Sequence, residues 1–348
     1  MFLSKKIYAS AAVIILAAAA PCSCANKDET SAAVSKLADF SPITEIQEGR
    51  ENIYLIVKDL DDQYWKVLSR GAAISGNELE VNVYMSGSTD ETEIDQQVKL
   101  VDKAVNLGAD AVIIAPDDAV KLSDCVSRVH KKGVPVVLAD TMVNCQDYDV
   151  CFMTDNMIAG RSAAETLIDD MLKNGVSENE EANIAVLTGA VTVPSLSERL
   201  AGFCGYWAEN APQKWHILDD VCKSDNYEDA VDDIRRLFSR HDNINGVFAA
   251  NYFTAAAFAD YLKKTDSKDI SLVNFDFPDE ISELMRDTEF SVSSVLQKNY
   301  DMGYEAVKAC VSLCNGEVPE PKFVDTGIMI INRETRNTPQ VQAILSHY

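Results

Sequence analysis

Residues 108–140 read GADAVIIAPDDAVKLSDCVSRVHKKGVPVVLAD and contain two short apolar runs on either side of a helical pattern. The runs at 111–114 and 134–139 are typical of buried strands, whereas 122–132 has the spacing of an amphipathic helix and ends at Gly133. Two short strands joined by one helix form a βαβ unit, and repeated βαβ units build a parallel sheet. This stretch therefore predicts an α/β fold.

The same alternation continues on both sides of this stretch. Towards the N-terminus we predict strands at 52–58 and 80–85 and helices at 63–74 and 91–106. Towards the C-terminus the predicted strands are 150–153, 183–188, 215–221, 246–249, 271–275, 290–295 and 324–332. The helices between them are predicted at 157–174, 196–210, 227–238, 252–265, 278–288 and 302–315. Because no low-complexity linker divides the chain after residue 50, we expect two α/β lobes that share crossovers.

Length and composition limit the class of protein. The chain has 348 residues, of which 47% are hydrophobic and 25% are charged, as in folded globular proteins. Single cores stop growing near ~250–300 residues, so two cores are expected. The formal net charge of -24, from 31 basic and 55 acidic residues, argues against a nucleic-acid partner because phosphate binding needs a basic face.

The first residues have the pattern of an export signal. Lys5 and Lys6 precede an apolar run at 7–20, which is too short to span a bilayer comfortably. Small residues ahead of a cysteine resemble a bacterial lipoprotein signal, so we predict a signal peptide at 1–23 and lipidation of Cys22 or Cys24. An ordinary cleaved signal with two incidental cysteines is the alternative. The polar stretch that follows predicts a flexible tether at 24–50, between the cell membrane and an extracytoplasmic domain.

The other cysteines and the histidines do not indicate a metal site. Seven cysteines remain, an odd number that cannot all pair within one chain: Cys125, Cys145, Cys151, Cys204, Cys222, Cys310 and Cys314. Cys145 and Cys151 flank a short polar segment and are the candidate local disulfide. Cys310 and Cys314 are one helical turn apart and are expected to be buried apolar residues. The four histidines are scattered, so no metal is expected. Without GxSxG, HExxH or P-loop motifs, we predict that the chain is not an enzyme and uses no cofactor.

Polar and aromatic residues directly follow several predicted strands. Parallel α/β sheets bind ligands beyond the carboxyl ends of their strands, so these residues are the candidate ligand-binding set: Asp62, Tyr64, Trp65, Asp140, Arg199, Asn251, Asp276 and Gln297. Carboxylates, amides and one arginine can hydrogen-bond a polyol, and aromatic rings can stack on its apolar face. Asp62 also suits a helix N-cap and Arg199 a salt bridge. Of the two aromatic residues at 64 and 65, one is expected to face the ligand and the other to pack.

Short motifs along the chain occur in the order of a known family. They are DLDDQYW (59–65), GADAVIIAP (108–116), KGVPVVLAD (132–140), TDN (154–156), the segment from TG (188–189) to SERLAGF (197–203), FAAN (248–251), NFD (274–276) and DTG (325–327). In these motifs the chain resembles the type I periplasmic solute-binding proteins, the group of ribose- and galactose/glucose-binding proteins. The resemblance implies two Rossmann-like lobes with parallel sheets, joined by three hinge crossovers. It implies an N-terminal lobe at 51–154 plus 298–325 and a C-terminal lobe at 155–297 plus 326–340.

The resemblance also implies a ligand cleft between the lobes. Carried over residue by residue, this cleft takes Asp62, Tyr64, Trp65 and Asp140 from the first lobe, Arg199, Asn251 and Asp276 from the second, and Gln297 from a hinge crossover. Tyr227 is added, in the place of an aromatic residue of the family. The family patterns have arginine where this chain has Thr141 and Ser197, and aspartate where it has Tyr252. The cleft is therefore expected to copy neither the ribose nor the galactose/glucose type.

The function that the resemblance implies is extracytoplasmic binding of a small solute. Two or three carboxylates against one arginine disfavour an anionic ligand, so a neutral sugar, polyol or nucleoside is expected, with a cationic amine as the alternative. The protein, expected to be a monomer, would deliver this ligand to the membrane permease of an ABC importer. A sensor of the same fold, which signals to a membrane receptor kinase or chemoreceptor, is the alternative. An exported enzyme has less support, since paired aspartates alone are weak signs of glycoside hydrolysis.

Overall fold

The computed structural model describes residues 39–88, 94–189, 193–224, 226–287 and 289–348. The predicted signal peptide, most of the predicted tether, and Cys22 and Cys24 lie outside these ranges. Within them, no helix combines the length and the apolar character needed to cross a bilayer.

The described residues form fourteen strands and ten helices. The strands are β1 (Ser41–Pro42), β2 (Asn52–Val57), β3 (Asn82–Gly87), β4 (Ala111–Ile114), β5 (Val136–Ala139), β6 (Val150–Met153), β7 (Ala182–Thr188), β8 (Trp215–Ile217), β9 (Cys222–Lys223), β10 (Ile244–Ala249), β11 (Ser271–Phe275), β12 (Ser291–Gln297), β13 (Phe323–Asp325) and β14 (Ile328–Asn332). The helices are α1 (Gln63–Glu78), α2 (Ile94–Asn106), α3 (Lys121–His130), α4 (Asn156–Lys173), α5 (Pro194–Asn210), α6 (Tyr227–Arg240), α7 (Tyr252–Thr265), α8 (Asp279–Leu284), α9 (Asn299–Cys314) and α10 (Pro339–Leu345).

The strands of the described ranges form two sheets. One has the order β1-β3-β2-β4-β5-β6-β13, and the other has the order β14-β12-β11-β10-β7-β8, with β9 also paired to β7. The ladders are parallel except at two edges, where β1 pairs with β3 and β14 pairs with β12. We call the first sheet with α1, α2, α3 and α9 the N-terminal lobe, and the second sheet with the other helices the C-terminal lobe.

Each sheet is buried on both faces because helices cover both. In β2, Ile53 and Leu55 face the core shared with α1 and α9, whereas Tyr54 and Ile56 face the core shared with α2 and α3. Successive side chains of a strand point to opposite faces, so a doubly covered strand must be apolar throughout. The continuous apolar runs of the sequence are explained by this burial, and the predicted α/β fold with parallel sheets is confirmed.

Within the described ranges, the chain passes between the sheets at three places: after β6, after β12, and between β13 and β14. Asp325 ties two of these crossovers together, since its Oδ1 accepts hydrogen bonds from the backbone nitrogens of Asp155 at 3.0 Å and Gly327 at 2.8 Å. The backbone nitrogen of Thr326 donates to Met153 at 3.0 Å. The three crossovers expected from the resemblance are therefore present.

Two of the predicted strands differ from those in the structure. Residues 324–332 were expected as one strand, but β13 is parallel to β6 in one sheet and β14 is antiparallel to β12 in the other. The break falls at Gly327, whose φ of 75° lies in the left-handed region that favours glycine. Residues 215–221 likewise give only β8, and the chain then pairs again with β7 through β9.

Part of the predicted tether belongs to the folded domain. β1 pairs with β3, and the backbone nitrogen of Ile43 donates to Val83 at 2.9 Å. Gln47 exchanges hydrogen bonds of 2.9 Å with the Asn82 side chain. β3 lies next to the edge of its sheet, and an uncovered edge strand presents unpaired backbone groups. Residues 41–47 satisfy some of these groups, so a flexible tether over this segment is wrong.

The candidate disulfide between Cys145 and Cys151 is also wrong. All seven cysteines of the described ranges are free. Cys151 lies in β6 with its side chain fully buried among the apolar residues next to α2 and α3. Cys310 is buried in the core beside α1, as expected for a small apolar side chain, whereas Cys314, also expected to be buried, is only partly buried.

Glycines bring one helix pair of each lobe into close contact. An added Cβ at Gly71 or Gly303 would overlap the backbone of the partner helix in the α1–α9 pair, and the same holds for Gly160 and Gly202 in the α4–α5 pair. Only a residue without a side chain permits this approach. The α4–α5 contact also fixes the backbone of Arg199, whose carbonyl oxygen faces Gly160.

Replacing Gly202 with alanine is expected to lower the free energy of unfolding by about 1–3 kcal/mol, because the new methyl group overlaps the carbonyl oxygen of Met157. Gly205 lies in the same helix, and no atom lies within 4 Å of a Cβ added there. Gly205→Ala is the matched control and is expected to stabilise the protein by about 0.5–1 kcal/mol. Urea unfolding measures both values, and equal effects at the two positions would contradict the close helix contact.

Candidate functional site

A cavity of about 330 Å³ lies where the first turns of α1 and α7 approach the loop after β11. Its walls come from both lobes and from the C-terminal segment: Gln63, Tyr64, Tyr252, Asp276, Phe277, Pro278, Asp279, Ser282, Leu345 and Tyr348. The carboxyl ends of the parallel strands face this region, which is the edge of an α/β sheet where ligands bind. Its volume is at the lower end of the range of small-molecule pockets, ~300–1,000 Å³.

Asp140 is the centre of a hydrogen-bonded cluster in the N-terminal lobe. Its carboxylate accepts from Lys58 Nζ at 2.9 Å and from the phenol of Tyr64 at 2.7 Å. Thr141 Oγ1 donates to the same carboxylate at 2.8 Å and accepts from Lys58 at 2.9 Å. The Lys58 and Asp140 side chains are only 12% and 15% exposed. A mostly buried ion pair of this kind holds the carboxylate in one orientation next to the cavity residue Tyr64.

The ionisation of this cluster follows from its contacts. Burial raises the pKa of Asp140, but the charge of Lys58 and the hydrogen bonds from Tyr64, Lys58 and Thr141 outweigh burial, so the pKa lies below its ordinary value. Burial and the charge of Asp140 raise the pKa of Tyr64 well above its ordinary value. At neutral pH, Asp140 is therefore an ionised acceptor and Tyr64 is a neutral donor.

Asp276 occupies the corresponding place in the C-terminal lobe, directly after β11. Its Oδ1 accepts from Gln297 Nε2 at 2.9 Å, and its backbone oxygen accepts from Asn274 Nδ2 at 2.8 Å. Burial raises the pKa of Asp276 above its ordinary value, although the charge of Arg199 and the hydrogen bond from Gln297 lower it. Gln297 is 4% exposed at the end of β12, so it links the Asp276 carboxylate to the start of a crossover.

Both aspartates have a backbone conformation that is unusual for residues with a side chain. Asp140 has a φ of 64° and Asp276 has a φ of 66°, in the left-handed region. The backbone nitrogen of each donates to the neighbouring strand, Asp140 to Phe152 at 2.8 Å and Asp276 to Val295 at 3.1 Å. Residues held in such conformations cluster at functional sites. Glu80 and Asp266 also have a positive φ, but Asp140 and Asp276 combine this conformation with a backbone hydrogen bond to the neighbouring strand.

Aromatic rings form much of the cavity wall. Tyr64 comes from the N-terminal lobe, and Tyr252 and Phe277 come from the C-terminal lobe. Trp65, expected to line the cleft, is instead 2% exposed in the core beside α1 and contacts Tyr64 edge-on at 4.8 Å between ring centroids. At the start of α1 the side chain at 64 faces the cavity, and the next side chain points into the core.

Arg199 is buried and does not line the cavity. Its guanidinium donates to Asn156 Oδ1 and to the carbonyl oxygen of Ala250, both at 2.9 Å, and lies 4.0 Å from the ring centroid of Phe275. The residue is 5% exposed. These protein contacts position the charge that acts on Asp276, and direct ligand contact by Arg199 stays a prediction.

Three other candidate residues take structural roles in this arrangement. Asp62 caps α1 by accepting from the backbone of Tyr64 at 2.8 Å, and Asn251 caps α7 by accepting from the backbone of Thr254 at 3.0 Å. Capping leaves ligand binding by either residue as a prediction. Tyr227 is not brought to the cavity, because its phenol donates to Asp260 at 2.8 Å and its ring packs against the C-terminal core.

The sequence argument missed several residues of the site. Lys58 stands at the carboxyl end of β2, where the strand-end rule that identified Asp140 would also have found it. Tyr252 was noticed only as a departure from the family pattern. Leu345 and Tyr348 lie in or after α10, a helix that was not predicted. In the part of the chain that the structure describes, no group of three or more histidines, cysteines or acidic residues could hold a metal ion.

Comparisons with known proteins agree with this architecture. The ribose import binding protein RbsB of Bacillus subtilis is 23% identical over 265 residues, which cover 76% of this chain and 82% of that protein. A carbohydrate transporter solute-binding protein from Agrobacterium radiobacter, solved with D-arabinose, has a TM-score of 0.77 and 25% identity and covers 86% of this chain and 99% of that one. An ABC transporter solute-binding protein from Agrobacterium vitis, solved with D-fucose, has a TM-score of 0.73 and 26% identity over 84% of this chain and 98% of that one.

The match to a family is also direct. Residues 53–317 match the family described as the periplasmic binding protein domain. The match runs from β2 to the end of α9 and so includes Asp140, Asp276 and most of the cavity wall. The resemblance inferred from the short motifs is thereby confirmed, and the chain belongs to the periplasmic binding protein domain family.

Proposed function

We propose that this protein binds a small neutral sugar in the cavity and delivers it to the membrane permease of an ABC importer. The observation that carries the proposal is the pair of strand-end aspartates, Asp140 and Asp276, one from each lobe, beside a cavity walled by aromatic rings. Carboxylates are strong acceptors for sugar hydroxyls, and aromatic faces pack on the apolar face of a pyranose or furanose ring. The names of the similar proteins, which refer to ribose, D-arabinose and D-fucose, support the same ligand class.

The charge balance of the site favours an uncharged ligand. Asp140 is paired with Lys58, and Arg199 acts electrostatically on Asp276. Among the described residues, the charged side chains of the cavity wall are acidic. A carboxylate or phosphate on the ligand would therefore face aspartates without a cation from the wall to balance its charge. A neutral polyol can instead use its hydroxyls as donors to the carboxylates and as an acceptor for the second Nε2–H of Gln297.

Binding between two lobes suggests how the ligand is signalled to the permease. The cavity takes walls from both lobes, so a ligand that fills it contacts both. Such a ligand binds the closed arrangement of the lobes more tightly than the open one, and this difference in affinity stabilises the closed state. The crossovers around Asp325 are the segments about which the lobes would move. We place the protein outside the cytoplasm as a monomeric, non-enzymatic binding protein, anchored to the cell membrane by a lipid on Cys22 or Cys24.

A thermal-shift screen tests the ligand class. D-ribose, D-arabinose, D-fucose and D-allose are compared with D-gluconate, an anionic polyol that serves as the control. A sugar at about a hundred times its dissociation constant adds ~2.7 kcal/mol of stability, so at least one neutral sugar is expected to raise the midpoint of unfolding by a few degrees. A shift with gluconate alone, or with none of the five compounds, would contradict the proposal.

A further inference from the structure

Residues 339–348 contact both lobes and so connect them in addition to the three crossovers of the chain. α10 is anchored in the C-terminal lobe, where Val341 is 3% exposed in the core formed with α6, α7 and α8. Ile344 and Leu345 pack against the same core. Thr338 caps the helix by accepting from the backbone of Val341. This segment therefore moves with the C-terminal lobe.

The residues that follow α10 contact the N-terminal lobe, although Tyr348 also packs against the C-terminal core. Gln63 Nε2 in α1 donates to the carbonyl oxygen of Tyr348 at 2.7 Å, and Arg70 in the same helix donates to the carbonyl oxygen of His347. The imidazole of His347 stacks on Tyr300 in α9, with 3.9 Å between ring centroids and 14° between planes. Residues 345–348 thus connect the C-terminal lobe to the N-terminal lobe. The connection consists of hydrogen bonds to two main-chain oxygens and one stacked pair of rings.

The Tyr348 side chain lies in the cavity wall. Its hydroxyl donates to Asn299 Oδ1 at 3.0 Å, and Asn299 Nδ2 donates to the backbone of Tyr64 at 2.8 Å. Asn299 is the first residue of α9, immediately after a crossover. Burial and the charge of Asp276 raise the pKa of Tyr348, so the phenol stays neutral. The hydrogen bond to Asn299 therefore positions the ring beside the space that a ligand would fill.

We propose that residues 345–348 form a latch over the ligand cavity, in which Tyr348 contacts the ligand and determines specificity, while His347 and Tyr348 hold the lobes together. The ligand contact rests on the proposed function, whereas the hold on the lobes does not. Opening the cleft must break the contacts with Gln63, Arg70 and Tyr300 or detach the segment from the C-terminal lobe. The latch and a ligand that touches both lobes consequently favour the same closed state.

Binding measurements with D-ribose, D-arabinose and D-fucose test the ligand contact. Tyr348→Ala removes part of the cavity wall and the hydrogen bond to Asn299. It is therefore expected to weaken binding of the preferred sugar at least tenfold and to change the order of preference among the three sugars. Arg70→Ala loosens the latch without altering the cavity wall, so it is expected to raise the dissociation rate about threefold or more and keep the order of preference. Arg128→Ala removes an exposed arginine of the same lobe that pairs with Asp102 and is the matched control, with no change expected.

Hydrogen exchange of the ligand-free protein tests the hold on the lobes independently of any sugar. Arg70→Ala is expected to speed amide exchange at least tenfold in residues 345–348 and in the first turn of α9, whereas Arg128→Ala leaves both unchanged. Unchanged exchange in Arg70→Ala, or wild-type affinity and preference in Tyr348→Ala, would overturn the latch. If no sugar binds the wild type while exchange in Arg70→Ala is faster, the proposed function fails and the hold on the lobes stands.

Discussion

Replacing Asp276 with asparagine is expected to weaken sugar binding about a hundredfold. The change removes the charge of a buried acceptor, and hydrogen bonds to charged groups contribute ~1.5–3 kcal/mol each. It also removes the negative charge with which the buried Arg199 interacts. Asparagine tolerates the left-handed backbone at this position, where φ is 66°, so the fold should be retained. Titration calorimetry with the sugar that stabilises the wild type most gives the dissociation constant.

The control for this variant is another aspartate in the same backbone conformation. Asp266 caps the C-terminal end of α7 with a φ of 53°, and its exposed carboxylate pairs with Lys268 at 3.1 Å. Asp266→Asn makes the same chemical change on the surface of the same lobe and should leave affinity unchanged. If Asp276→Asn binds as tightly as Asp266→Asn, Asp276 is not a ligand acceptor and the cavity assignment fails.

The alternation of strands and helices could be predicted because its signals are local. An apolar run between two helices is recognisable whatever its partners are, and the bounds of β4, β6, β11 and α7 agree with the sequence prediction. Which of the two sheets a strand joins is not determined by its local sequence. The separation of β13 from β14 depends on one glycine and on which sheet offers a free edge. The rule that ligands bind beyond the carboxyl ends of parallel strands selected Asp140, Asp276 and Gln297, which do lie at strand ends, and ligand binding by them stays a prediction.

The parts of the site that sequence reasoning missed depend on contacts between distant residues. Nothing near Lys58 shows that its ammonium meets a carboxylate 82 positions later, and nothing near Gln63 shows a partner 285 positions later. Helical spacing identifies an apolar face but does not say whether Tyr64 or Trp65 faces the cavity. For Tyr227 the resemblance was misleading, because the side chain turns towards Asp260 on the neighbouring helix.

Replacing Lys58 with methionine is expected to lower the free energy of unfolding at pH 7 by about 3 kcal/mol, because breaking a buried ion pair leaves an uncompensated charge. In the wild type the native pKa of Asp140 lies below its ordinary value, so the pair stabilises the protein above the unfolded pKa, and this stability is lost as pH falls through the native pKa. In Lys58→Met burial remains, which raises the native pKa of Asp140. The stability difference between variant and wild type should therefore be largest at neutral pH and shrink as the carboxyl group becomes protonated.

Two further variants separate this effect from a loss of packing. Lys58→Met combined with Asp140→Asn removes both charges and should recover much of the lost stability, as neutral replacements of buried pairs commonly do. Arg128→Met breaks an exposed ion pair, in which the side chains of Arg128 and Asp102 are 46% and 43% exposed. This change should lower the free energy of unfolding by no more than about 0.5 kcal/mol. Urea unfolding between pH 7 and pH 4.5 measures all of these values. A loss in Lys58→Met that is the same at every pH and is not relieved by Asp140→Asn would show that the lysine stem, and not its charge, stabilises this side of the cleft.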